Sequence, residues 1–238
     1  MPKAPQRTTK TERKVNPTSG SRKTKDPKDS HLYTDDNPAT TIHGTGFKDK
    51  ATALHTLELI SKRSLTYQFQ TVNTMYHRAK HHPAMKKAAE GSAGTSDMRA
   101  AMEVFRTWLD DTYPAEKEAL RVGGGFKPLL RKEVVERYLQ RIEDSPEVRE
   151  DAKAFARTYA SLTKGKRLGN VLVDNKKPEE PDWERKRYQV LDDLVPDGKE
   201  KESAWEHSEL WSGDKQPSDQ HLRLIAWAWS PVRESKLP

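Results

Sequence analysis

The sequence predicts an all-α fold, a compact multi-helix domain with an irregular, aromatic-rich C-terminal extension, from three features of its 238 residues. Apolar residues recur at steps of three and four in several separate segments, the period of a helix that buries one face. Glycine, proline and capping residues fall between those segments, where helices start and stop. The last third loses the rhythm yet carries Trp183, Trp205, Trp211, Trp227 and Trp229.

Taken in order, residues 1–45 are rich in Pro, Thr, Ser, Lys and Arg with no apolar period, and they read as a disordered basic arm. The first helix follows Gly44 and Gly46. Asp49 can cap it, and Leu54, Leu57 and Ile60 form its stripe. The second has the clearest pattern: Leu65, Phe69, Val72, Tyr76 and Ala79 share one face, and Pro83 ends the helix by His82. After a turn over residues 90–96, Met98, Met102, Phe105 and Leu109 mark a third helix, with Tyr113 and Pro114 expected to interrupt it.

Gly123, Gly124 and Gly125 then give the backbone freedom to turn sharply; they lack the spacing of a phosphate-binding P-loop. A fourth helix runs to Ile142. A fifth opens after Asp144, Ser145 and Pro146, with Val148, Ala152, Phe155, Tyr159 and Leu162 on its inner face and Gly165 as its stop. Residues 46–165 are thus expected to form one helical, nucleic-acid-binding domain, and 166–238 an extension packed on it. Within that extension Leu168 to Val173 reads as extended, Trp183 to Leu194 as helix, 196–217 as linker, and Ser218 as the cap of a short helix ending in Trp227 and Trp229. Those two tryptophans either pack back on the domain or bind a partner.

Composition narrows the function. Apolar and charged residues each make up 33% of the chain, so part of it should be unable to sustain a core. No apolar run approaches the ~18 residues of a membrane span, and no secretory leader is expected at the N-terminus. Cysteine is absent, which excludes disulfides, thiolate-held metals and cysteine nucleophiles. The net charge of +7 is concentrated in the first two-thirds of the chain, where a polyanion partner is therefore expected.

The sharpest local signal is the absence of any carboxylate between Glu58 and Glu90. The chain's average acidic content, 36 in 238, would put about five there. Instead the stretch holds Lys62, Arg63, Arg78, Lys80, Lys86, Lys87, His77, His81 and His82. Beside the buried stripe of the second helix, Tyr67, Gln70, Asn73, His77 and Lys80 or His81 progress at helical steps. Arg78 and Lys80 suit phosphates, Gln70 and Asn73 suit base edges, and Tyr67 suits stacking. A solvated basic face is the plainer alternative. For catalysis His77 is the best-placed acid or base, with Asp49 or the Asp110–Asp111 pair to orient it, and Lys50, Arg78 or Lys80 to stabilise phosphate charge. His77 and His81 have the spacing of two zinc ligands, but the stretch lacks the His-Glu-x-x-His pattern, and neither metal nor cofactor is expected.

The run GFKDKATALHTLELISKRSLTYQFQTVNTMYHRAKHHPAM at 46–85, with AMEVFRTWL at 101–109, resembles the uracil-DNA degrading factor family. The resemblance covers roughly residues 44–165. It implies a mostly helical protein that recognises and degrades uracil-containing DNA, and a shared block at Lys48, Asp49, Lys50, Tyr67, Gln68, Gln70, Asn73, Tyr76, Arg78, Ala79 and Lys80. The insect members carry a duplicated N-terminal motif and this chain shows one copy, so cutting DNA and only binding it both stay open. The resulting expectation is a DNA-binding, uracil-DNA-directed hydrolase or nuclease of DNA repair, nuclear in a eukaryote and cytoplasmic otherwise. A non-catalytic nucleic-acid or chromatin binder and a protein-interaction scaffold are the alternatives.

Overall fold

The computed structural model describes residues 42–87, 93–122, 127–213 and 215–238. Residues 1–41 of the expected basic arm, Gly91, and the triple glycine lie outside them. Helix α1 (Lys50–Ile60) starts where Asp49 accepts hydrogen bonds from the Thr52 amide and hydroxyl at 2.7 and 2.8 Å. Helix α2 (Leu65–Lys80) is capped by Ser64, and Pro83 opens a short α3 (Pro83–Lys87). Helix α4 (Ala93–Thr107) packs on both α1 and α2. Ile42, Ala53, Ile60, Val72, Ala101, Phe105 and Trp108 form the core of this first cluster. Ile42 is buried in it, so packing begins before the expected domain start at 46.

Tyr113 and Pro114 do not break the chain's helical course. Residues Trp108–Thr112 form a single π-helical turn, and α5 (Tyr113–Val122) continues from it. Pro114 follows directly on this wider turn, where the backbone hydrogen-bond ladder is already shifted from the α pattern and can take a residue with no amide to donate.

A second, larger cluster is built from α6 (Lys132–Asp144), α7 (Glu150–Ser161), α8 (Trp183–Leu194), the short α9 (His207–Leu210) and α10 (Asp219–Ala226). Helix α7 begins at Glu150 and not at Pro146, because Ser145 turns its hydroxyl to the Glu147 amide and makes a tight turn there instead. Phe155, Trp183 and Trp227 meet at the centre, with ring centroids 4.9 to 6.4 Å apart. Helices α6 and α7 pack on α10, so this core draws on residues either side of 165.

The expected all-α class needs correcting in one detail. The fold is mostly helical, but Trp211–Ser212 (β1) and Gln216–Pro217 (β2) pair as a two-stranded antiparallel sheet, with Trp211 opposite Pro217 and Ser212 opposite Gln216. It lies in the stretch expected to be linker, where Trp205 and Leu210 are also buried. Likewise Leu168 to Val173 is a 3-10 turn (Leu168–Asn170) followed by an isolated bridge between Leu172 and Asp182. Trp227 and Trp229 are each 2% exposed, which removes the main support for a scaffold that captures proteins through them.

One cation organises the second cluster. Arg187 is buried and donates from all three guanidinium nitrogens to backbone carbonyls of Lys127, Pro128, Trp227 and Ala228. Burial pushes its pKa down to about 10. Ala228 takes a left-handed φ of 52°, a conformation usually left to glycine. Its carbonyl there accepts from both Arg187 and the Leu130 amide, which ties the C-terminal segment to the entrance of α6.

Candidate nucleic-acid interface

The acid-free stretch has its carboxylates supplied from elsewhere in the chain. Arg63 is 1% exposed and donates to Asp182 at 3.0 Å, to the Pro178 carbonyl at 2.9 Å and to the Gly169 carbonyl at 2.9 Å. Lys62 pairs with Glu180 at 2.9 Å. Asp182 in turn accepts from the Ser64 amide and caps α8 through the Arg185 amide. These residues join the two clusters and are not a phosphate-binding surface.

Of the residues expected to form the site, Tyr67, Gln70, Asn73, His77, Arg78 and Lys80 lie along α2, His81 is its C-cap, and Asp49 and Lys50 stand at the start of α1. Tyr67 is half-buried with the Arg63 guanidinium 3.7 Å from its ring centroid, so that ring face is already occupied. Gln70, Asn73 and Arg78 are half-buried, while Lys80 and His81 are exposed; none has a side-chain hydrogen bond or ion pair with a described residue. Lys80 lies 6.0 Å from the Tyr76 ring. His77 is exposed, edge-on to Tyr76 and parallel to His81 at 6.2 Å, with no carboxylate paired to it among the described residues. Asp49, meant to orient it, is the cap of α1. Its two bonds from Thr52 hold its pKa below the usual carboxylate range. Lys50 faces a different groove, with Leu54, Leu57, Glu103 and Trp108. No group of three His, Asp or Glu able to hold a metal ion occurs among the described residues.

A different constellation emerges where α2, α5 and α8 converge. Two adjoining cavities of about 320 and 490 Å³ share Thr66, Glu184 and Tyr188 in their walls. The smaller is completed by Leu65, Tyr113 and Leu120, with Lys117, Arg121 and Arg185 beside them. The larger continues past Leu129 and Leu162 to Lys132, Lys166 and Arg167. Six cations besides the committed Arg187 therefore line one continuous region. Of these, Lys117, Lys132, Lys166, Arg167 and Arg185 have no ion pair with a described residue, and Arg121 has only a loose one with Glu118 at 3.7 Å.

Glu184 is the one carboxylate among the residues lining either cavity. Thr66 donates to it at 2.8 Å. Burial raises its pKa, with a smaller push from neighbouring Asp182. The turn at Gly169 makes room for it: a Cβ there would lie 2.7 Å from both the Glu184 carboxyl and the Ser64 hydroxyl. Tyr188 is half-buried, and burial raises its pKa too, keeping the phenol neutral.

Sequence reasoning missed this cleft because its cations come from α5, α6, α8 and the loop around Lys166, four separate segments of the chain. The readable traces were the KGKR run at 164–167 and the four-residue step from Glu184 to Tyr188, which puts both on one face of α8.

No protein-family model, curated protein or solved structure matches this chain. Nothing found therefore carries the expected uracil-DNA activity. Asp49 is engaged as the cap of α1, His77 has no carboxylate paired to it among the described residues, and Lys62 and Arg63 are paired with Glu180 and Asp182. The reading of the α2 stretch as the DNA-binding face of a nuclear uracil-DNA hydrolase or nuclease of DNA repair is accordingly overturned.

Proposed function

We propose that this protein is a non-catalytic binder of single-stranded nucleic acid, with the strand lying in the cleft between α5, α8 and the Lys166–Arg167 loop. The observation that carries this reading is the cleft's lining: six cations on both flanks, a tyrosine between the cavities, and a single recessed carboxylate. A backbone carrying one phosphate per nucleotide needs cations in sequence along a groove, and it releases bound counterions as each is engaged. Exposed bases need aromatic and apolar surface, which Tyr188, Leu120 and Leu129 offer. A duplex cannot present its bases to recessed surface of this kind without opening.

The test is fluorescence anisotropy with labelled single-stranded DNA, single-stranded RNA and duplex DNA across a salt series. Single strands should bind more tightly than duplex, with log Kd rising against log salt by about 0.7 per phosphate engaged. Replacing Lys166 and Arg167 together by Glu, or Lys117 and Arg121 together, should weaken binding and flatten that slope, whereas Arg78→Ala with Lys80→Ala should leave it unchanged. Wild-type affinity and slope in both cleft variants would overturn the assignment.

A further inference from the structure

We propose that the smaller cavity is a base pocket that accepts one unstacked guanine of the bound strand, its ring on Tyr188 and its N–H edge on the Glu184 carboxylate. This rests on the strand-binding reading and adds selectivity to it.

Volume and lining both favour a base. The pocket's roughly 320 Å³ is walled by Leu65, Leu120, Tyr113 and Tyr188, a mostly apolar enclosure opening beside Lys117 and Arg185. A nucleobase fits such a space edge-on while its phosphates stay with the cations at the mouth. Tyr113 already stacks on Phe69, with centroids 4.5 Å apart, so it serves as a fixed wall. Tyr188 lines both cavities and is the ring left for stacking.

The hydrogen-bonding chemistry selects among bases. Thr66, in the first turn of α2, donates its hydroxyl hydrogen to Glu184 at 2.8 Å and holds the carboxylate in place. With that donor in place, the oxygen lone pairs left on the cavity side accept hydrogen bonds. Guanine presents two adjacent donors, N1–H and the 2-amino group, which match the two oxygens of one carboxylate. Adenine and cytosine offer an amino group beside an acceptor nitrogen, and thymine and uracil a single N–H flanked by carbonyls that a carboxylate repels. A pocket built to pair with N–H groups discriminates against bases that cannot supply them, because the buried acceptor is left unpaired.

The experiment uses the full chain and an oligothymidylate carrying one central guanine, inosine or abasic site. Guanine should bind about tenfold more tightly than the abasic strand, with inosine, which lacks the 2-amino group, in between. Glu184→Gln keeps an acceptor for Thr66 but sets an N–H₂ group against guanine, and should abolish the guanine preference while leaving the abasic strand's affinity as in wild type. Should that variant fail to fold, a central fluorescent guanine analogue that keeps both N1–H and the 2-amino group gives an independent readout in the wild-type complex, its fluorescence quenched on Tyr188. Equal affinity of guanine and abasic strands, with no quenching of that analogue, would overturn the pocket and leave strand binding standing. Failure of every strand to bind would remove both.

Discussion

Arg63 and Asp182 stand 119 residues apart in sequence and meet at 3.0 Å with both side chains essentially excluded from water. A buried pair of this kind contributes little net stability over an apolar substitute, yet removing one member leaves the other charge stranded. Arg63→Met should therefore cost about 3–5 kcal/mol. Adding Asp182→Asn, which keeps an α8 cap, should recover part of that loss. Urea unfolding of the two single variants and the double variant measures it; additive losses would show the pair to be uncoupled.

Gly169 lies against the same junction. An added methyl would meet Glu184 and Ser64 at 2.7 Å, closer than packed atoms come, so Gly169→Ala should lower stability by about 1–3 kcal/mol. It should also displace the carboxyl that floors the cleft. Thermal unfolding reads the first effect and guanine-versus-abasic affinity the second.

Trp227 lies at the centre of the larger core, stacked near Phe155 and Trp183. Trp227→Ala should cost about 3–5 kcal/mol. A surface residue awaiting a partner would tolerate the change, and chemical denaturation distinguishes the two.

His221 supplies a pH dependence. Its Nδ1 lies 3.0 Å from the Leu210 carbonyl and must carry the proton, while Nε2, 2.8 Å from Ser230 Oγ, accepts. Burial lowers its pKa, partly offset by the Leu210 bond, so the unfolded chain takes up the proton more readily than the folded one. That stability is fully present above the unfolded value of about 6.5 and is lost as pH falls below it, with a limiting slope of about 1.4 kcal/mol per pH unit. Unfolding free energies between pH 8 and 5 should fall toward the acid end more steeply in the wild type than in His221→Gln.

The helices were legible wherever one apolar face repeats: Asp49 and Ser64 cap α1 and α2 as their positions imply, and Phe155 and Tyr159 face inward. Helix α5 escaped notice because a proline inside a π-to-α continuation looks like a stop, and its buried face is slight. The site escaped for a deeper reason. A deficit of acid in one window says nothing about which distant carboxylates fold onto it, and Asp182 and Glu180 do. Lys117, Arg185 and Lys166 looked like ordinary solvated charges until the fold aligned them along one cleft.

The separation of Arg63 from its counter-ion also has a temporal side. A chain growing on the ribosome completes α1 to α4 long before residues 169–182 are made, so every ligand of the Arg63 guanidinium arrives late. Until then the first cluster carries an unanswered positive charge at the surface that will later close against α8. Translation order thereby leaves the Arg63 joint to close only after residues 169–182 have been made.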